Sequence, residues 1–131
     1  PLTGADHDRF SKGKAVYASV CAACHSPDGR GQNAPPLLDS DWILGSPQAS
    51  VRIIMYGLSG AISVNGRSYI GEMPGLGALD DDQIASVLTY LRREWGHTAG
   101  PVDPELVKSI RADTAGRVNP WGWRELNPYR Q

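Results

Sequence analysis

Apolar residues recur at helical spacing in several stretches of this chain and alternate in another, and the expected elements follow from those two periods. From about Asp8 to Val20, the residues Phe10, Gly13, Tyr17 and Val20 fall on or near one stripe, which predicts an N-terminal helix running up to a pair of cysteines. A second helix is expected from Ser46, with Pro47 in its first position, Val51, Ile54, Met55 and Leu58 on its buried side and Gly57 as a stop. The stretch AISVNGRSYI alternates around Asn65-Gly66, a pair suited to the positive φ angles of a type I′ turn, and predicts a small β-hairpin. Asp80 and Gln83 form a capping-box pattern with Leu79 and Ile84 as a staple. It opens a helix that carries Ile84, Val87, Leu88, Leu91 and Trp95 on one face and closes at Gly96. A further helix starts at Asp103-Pro104 and runs to about Arg111, after which RVNPWGWRELNPYRQ has no clear period and reads as an irregular tail.

Composition refines this picture. At 131 residues, with 40% apolar and 21% charged content, the chain is expected to form one soluble globular unit. Fifteen glycines and ten prolines gather at 29–36, at 57–77 and beyond 101, so much of the chain is shaped loop. A net charge of -1 argues against nucleic acid or an anionic membrane as the main partner. No run approaches the ~18 to 20 apolar residues of a membrane span, and PLTGADHD is not a signal peptide, so an exported protein would already have lost its leader.

Both cysteines fall within CAACH, Cys21 to His25. On a helical turn, thiols three residues apart leave the same face, and the histidine that follows can reach over what they hold. C-x-x-C-H is the signature of covalent c-type haem attachment, with the thiols joined to the two vinyl groups and the histidine as an iron ligand. Three other readings stand beside it. Structural zinc wants four ligands, whereas no second cysteine pair exists and His7 and His97 lie far off in the sequence. A thioredoxin-like redox pair belongs beside a βαβ pattern that this chain lacks, and a plain disulfide leaves His25 unexplained.

KAVYASVCAACHSPDGRGQNAPPL, followed by GEMPGLG and then IASVLTYLRREW, resembles a class I c-type cytochrome from near residue 8 to residue 96. The resemblance implies an all-α fold around one covalent haem c, here with a small β-hairpin insertion and a C-terminal extension: a core over 1–97, and over 98–131 a helix and irregular tail packed on or extending from it. It also implies that Gly13 and Tyr17 meet Tyr90 and Leu91 where the first and last core helices cross. SDWILGSP, IIMYGLSGAISVNGRSY and the REWG helix end are similar to cytochromes and cytochrome domains that accompany periplasmic dehydrogenases, including quinoprotein ones. Ser26 departs from the family, which often has glycine after the histidine.

The chain offers two methionines as a sixth ligand. Met55 sits on an amphipathic helix, where a methionine is usually core filler. Met73 lies in GEMPGLG, a segment expected to be irregular, where Pro74 biases it to extended backbone; the family's methionine-proline loop implies that Met73 is the ligand opposite His25. The resemblance further implies that the second ring nitrogen of His25 donates to the carbonyl of Pro35, near Leu37, with Pro36 as competitor. Trp42 and Arg52 are candidate donors to the haem propionates, set against simple packing or solvation, with Tyr69 a further candidate. His97 is expected to be a favourable charge at a helix C-terminus and His7 to be solvated.

A His/Met pair closes the iron to substrate and suits it to electron transfer. The expected function is therefore a single-electron carrier, not an enzyme, between a dehydrogenase donor and a cytochrome or oxidase acceptor, with a periplasmic location implied by extracytoplasmic haem attachment. The alternative is a haem c domain or subunit of a larger oxidoreductase; a haem enzyme or gas sensor would need an open iron position. Trp121, Trp123, Tyr129 and three arginines, Arg117, Arg124 and Arg130, are expected either to fold back over the protein's own surface or to form a docking patch.

Overall fold

The computed structural model describes residue 2 and residues 4–131. Helix α1 spans Ala5–Val16 and continues through a π-helical turn, Tyr17–Cys21, into α2, Ala22–His25. Two helices with serine N-caps follow, α3 at Asp41–Leu44 and α4 at Pro47–Tyr56, whose caps Ser40 and Ser46 accept from the N–H groups of Trp42 and Gln48. Strands β1, Gly57–Val64, and β2, Arg67–Pro74, form an antiparallel hairpin, and α5, Asp81–Leu91, opens on the Asp80/Gln83 capping box. Helix α6, Pro104–Asp113, starts on Asp103, and α7, Trp123–Leu126, lies in the tail.

The crossing of α1 and α5 organises the main core. Gly13 makes it possible: a Cβ there would stand 1.9 Å from the Ser86 carbonyl oxygen and 2.8 Å from the Tyr90 Cβ. Beside it Phe10, Tyr17 and Tyr90 pack ring on ring, with Tyr17 and Tyr90 centroids 5.5 Å apart. Val51, Ile84, Leu88, Val107 and Ile110 are buried beneath this crossing.

Several elements differ from expectation. Val20 is 39% exposed, because the π turn inserts an extra residue and rotates the stripe before the cysteines. Helix α5 ends at Leu91; Trp95 lies in a separate 3₁₀ turn with φ at +57° and leaves the α5 face. GEMPGLG is irregular only from Gly75, since Met73 and Pro74 close β2 opposite Leu58 and Gly57. Pro74 is tolerated because it ends an edge strand. Asn65 and Gly66, with φ of 51° and 83°, make the expected turn.

The tail folds back. Trp121 is buried in a second apolar cluster with Trp42, Ala49, Ile62, Val64 and Leu126. Its backbone bridges β1 at Leu58 in parallel fashion. Three arginines stack on aromatic faces in this region: Arg117 over Trp121 at 3.4 Å, Arg52 over Tyr129 at 3.6 Å and Arg130 over Trp42 at 3.9 Å. The side chains expected to serve a docking patch are largely spent on the protein's own surface; Trp123 stays 39% exposed.

Ser26 adopts φ 68° and ψ 153°, a region that glycine occupies almost alone, and its hydroxyl is buried without a partner among the described residues. Ser26→Gly removes both costs while keeping the carbonyl that accepts from the Tyr17 hydroxyl. It is expected to stabilise the protein by about 1 kcal/mol, the relief of strain exceeding the added unfolded-state entropy. Urea denaturation of the two proteins checks this, and a less stable glycine variant would refute it.

Candidate functional site

The loops and hairpin line a partly open cavity of about 580 Å³. Cofactor pockets of proteins run ~300–1,000 Å³, so the space suits a sizeable planar group. Cys21, Cys24 and His25 line one side, delivered by the turn that ends α1. Met73 lines it from β2, and apolar side chains including Ile54, Leu76 and Leu91 complete much of the wall.

His25 is oriented by the chain itself. Its Nδ1 lies 2.9 Å from the Pro35 carbonyl oxygen, which makes Nδ1–H the donor and leaves the Nε2 lone pair unprotonated. Burial pushes the imidazole below its ordinary pKa, against an opposing rise from the Pro35 bond, so the ring is neutral. A neutral, tethered imidazole is what metal ligation needs. The loop carrying Pro35 is fastened to the motif by backbone bonds: Gly31 N–H donates to His25 O at 3.0 Å and Leu37 N–H to Gly29 O at 2.7 Å. Gly31, at φ +78°, also packs where a Cβ would stand 2.2 Å from the Ala34 carbonyl oxygen.

The two cysteines form no disulfide with each other; Cys21 is half-buried and Cys24 exposed. Burial first, and then the neighbouring Cys24, raise the Cys21 thiol to about 11, so it stays protonated at neutral pH. No cluster of three or more His, Cys, Asp and Glu side chains stands together among the described residues, so no zinc-type ligand set surrounds the pair there.

Each remaining candidate has a definite place. Trp42 lines the cavity, but its indole N–H donates to Ser63 O at 2.7 Å. Arg52 is not brought to the cavity: its guanidinium donates to the Gln48 carbonyl and side-chain oxygens at 3.0 and 2.8 Å and lies over Tyr129. Both bonds come from one terminal nitrogen, and the buried Nε has no partner among the described residues. Tyr69 does line the cavity. Met55 is buried and only 3% exposed, as core filler should be. His7 is exposed on α1.

His97 departs from expectation. It is 7% exposed, its Nδ1 lies 2.8 Å from Leu91 O, and its Nε2 accepts from Asp39 N–H at 3.0 Å. With the Asp39 carboxylate also 3.3 Å from Nε2, the ring acts as a splint between α5 and the loop that follows Pro35.

Arg67 was missed. It lines the cavity from the same face of β2 as Met73 and Tyr69. The period-2 rule carries Met73 back through Gly71 and Tyr69 to Arg67, so the signal was present once β2 was known to include Met73.

Residues 10–95 match the family model for cytochrome c. The chain is 32% identical to cytochrome c-552 of Thermus thermophilus over 122 residues, covering 88% of each chain. It is 31% identical over 117 residues to the cytochrome c subunit of the quinone alcohol dehydrogenase of Gluconobacter oxydans, matching 85% of this chain and 24% of that subunit. Over 97 residues it is 40% identical to the CcoP subunit of the Cbb3-type cytochrome c oxidase of Cereibacter sphaeroides, matching 69% of this chain and 30% of the subunit. The chain thus spans about a quarter to a third of the oxidoreductase subunits it resembles.

Proposed function

Because the chain belongs to the cytochrome c family, we propose that it is a monohaem electron carrier that holds its haem through Cys21 and Cys24, with His25 and Met73 as the iron ligands. The observation that carries this reading is a neutral histidine, tethered through Nδ1 to Pro35, lining the same apolar cavity as both thiols and a methionine. A haem iron bound there exchanges single electrons between its ferric and ferrous states. The protein's own part is to fix, shield and tune. Cys21 and Cys24 anchor the group; His25 gains basicity from Pro35; Met73 supplies a soft thioether that favours the reduced state and denies the site to exogenous ligands. Apolar walls keep water from the metal and raise the potential further. Tyr69 and Arg67, which line the cavity, join Trp42 and Arg52 as candidate donors to the propionates.

The donor is a periplasmic dehydrogenase and the acceptor a cytochrome or oxidase, a reading supported by relatives that are subunits of both kinds of complex. No helix among the described residues is long and apolar enough to cross a membrane. A second reading, a haem c domain or subunit within a larger oxidoreductase, is favoured by the partial coverage of those subunits.

Expression with haem-attachment machinery, acid extraction and a redox titration test the proposal. One haem per chain resisting extraction, with a one-electron titration and slow carbon monoxide binding, is the expected result. Extractable haem or its absence would refute covalent attachment, and rapid carbon monoxide binding to the reduced native protein would favour an open-iron enzyme or sensor.

A further inference from the structure

The backbone row that holds Met73 ends in the C-terminal tail. Trp121 N–H donates to Gly57 O, and Ser59 N–H donates to Trp121 O, each at 2.9 Å. Those two bonds bridge Trp121 to Leu58 on the edge of β1 opposite β2. Leu58 is at the same time the cross-strand partner of Met73. Trp121, Leu58 and Met73 therefore occupy neighbouring places in one three-strand row. We infer that Trp121 is a positioning residue for Met73, clamping the base of β1 to α4 so that β2 keeps the thioether at the cavity; this rests on the reading of Met73 as an iron ligand.

Trp121 is itself immobilised. Its indole N–H donates to the Arg52 carbonyl of α4 at 2.9 Å, the Arg117 guanidinium covers its ring, and Tyr56 of α4 meets it edge-on at 6.3 Å. On the other flank of Met73, Leu76 N–H donates to Ile54 O, also of α4, at 2.7 Å. Both sides of the methionine are thus referred to one helix. A two-stranded ribbon is marginal alone, and β1 gains a second partner, Trp121, at the row that matters for Met73. The two strands have no slack there: a Cβ on Gly57 would stand 2.3 Å from the Met73 carbonyl oxygen, so a shift of β1 is passed to Met73.

The test uses the holoprotein with three substitutions: Trp121→Ala, Trp121→Phe, and Leu126→Ala, a fully buried member of the same cluster that lies outside the row. Four readouts are followed: the near-infrared band of ferric His/Met iron as pH rises, the rate of carbon monoxide binding to the reduced protein, exchange of the Ser59 amide, and stability in urea. Trp121→Ala is expected to lose the band at a pH lower by about one unit and to bind carbon monoxide about tenfold faster, as a tenfold rise in the Met-dissociated population requires. Ser59 exchange should quicken with it, and Trp121→Phe, which keeps the packed ring, should recover most of each effect. Leu126→Ala should lose comparable stability while leaving the band and the ligand rate unchanged. Equal changes in Leu126→Ala, or an unchanged band and rate in Trp121→Ala, would overturn the clamp and leave the tail as a general stabiliser. A parent protein without the band would instead overturn Met73 as ligand, and the clamp with it.

Discussion

Met73→Ala is expected to abolish the near-infrared band of the ferric protein, lower its reduction potential and speed carbon monoxide binding by an order of magnitude or more, since the thioether is what favours ferrous iron and blocks the sixth position. Haem should stay attached, because the thiols of Cys21 and Cys24 and the Pro35-tethered His25 are delivered by a different part of the chain, the turn after α1. Holoprotein yield should therefore fall far less than after substitution of either cysteine or of His25. Met55→Leu is the control: Met55 is buried in the main core, and a volume-conserving swap there should cost under ~1.5 kcal/mol and leave the spectrum alone. A band that survives in Met73→Ala but vanishes in Met55→Leu would reverse the assignment.

Gly13→Ala should be among the most damaging single changes away from the ligands. Alanine is intrinsically better than glycine in a helix by about 1 kcal/mol, so propensity alone predicts a gain. The geometry predicts a loss. The new methyl would lie 1.9 Å from the Ser86 carbonyl oxygen, and α1 and α5 would have to separate along their whole crossing. A net destabilisation of about 3 kcal/mol is expected, at the upper end of overpacking costs, read from the urea midpoint of the holoprotein. Unchanged stability would mean that the two helices are less tightly crossed than the structure has them.

Most of what local chemistry dictates could be read directly from the sequence. The Asp80/Gln83 box, Pro47 after its serine cap and the Asn65-Gly66 turn each draw on residues within a few positions, and each is found where the pattern put it. CAACH stood out because it holds both cysteines of the chain, and Met73 was singled out by the resemblance of its methionine-proline segment to the family's loop. What local patterns hid was long-range. Nothing near Met73 announces that it ends a strand, since its pairing with Leu58 depends on a partner fifteen residues back and a bridge from Trp121. His97 reads only as a residue past a helix end, and its contacts to Leu91 and to Asp39, 58 residues back, are not announced locally. Arg92, just past the end of α5, is 9% exposed and donates to the carbonyls of Ile43, Gly45 and Gly100, all distant from it in local pattern. Arg52, a candidate propionate donor in the sequence, is held by its own helix and Tyr129, contacts that its local pattern does not announce.

The π turn at Tyr17–Cys21 bears on how this chain can vary in length. A π turn holds one residue more than an α turn for about the same rotation, so deleting one residue between Tyr17 and Cys21 would let regular helix run through while both thiols and His25 keep their direction relative to Gly13 and Tyr17. Adding a residue to a regular helix there would instead turn the motif by about 100° and put it out of phase with the stripe that meets α5. A single-codon deletion among Ala18, Ser19 and Val20, all solvent-exposed, should therefore be accepted, as should substitutions at the same positions. That short segment can lose a residue, but the direction in which it delivers the motif has to be kept.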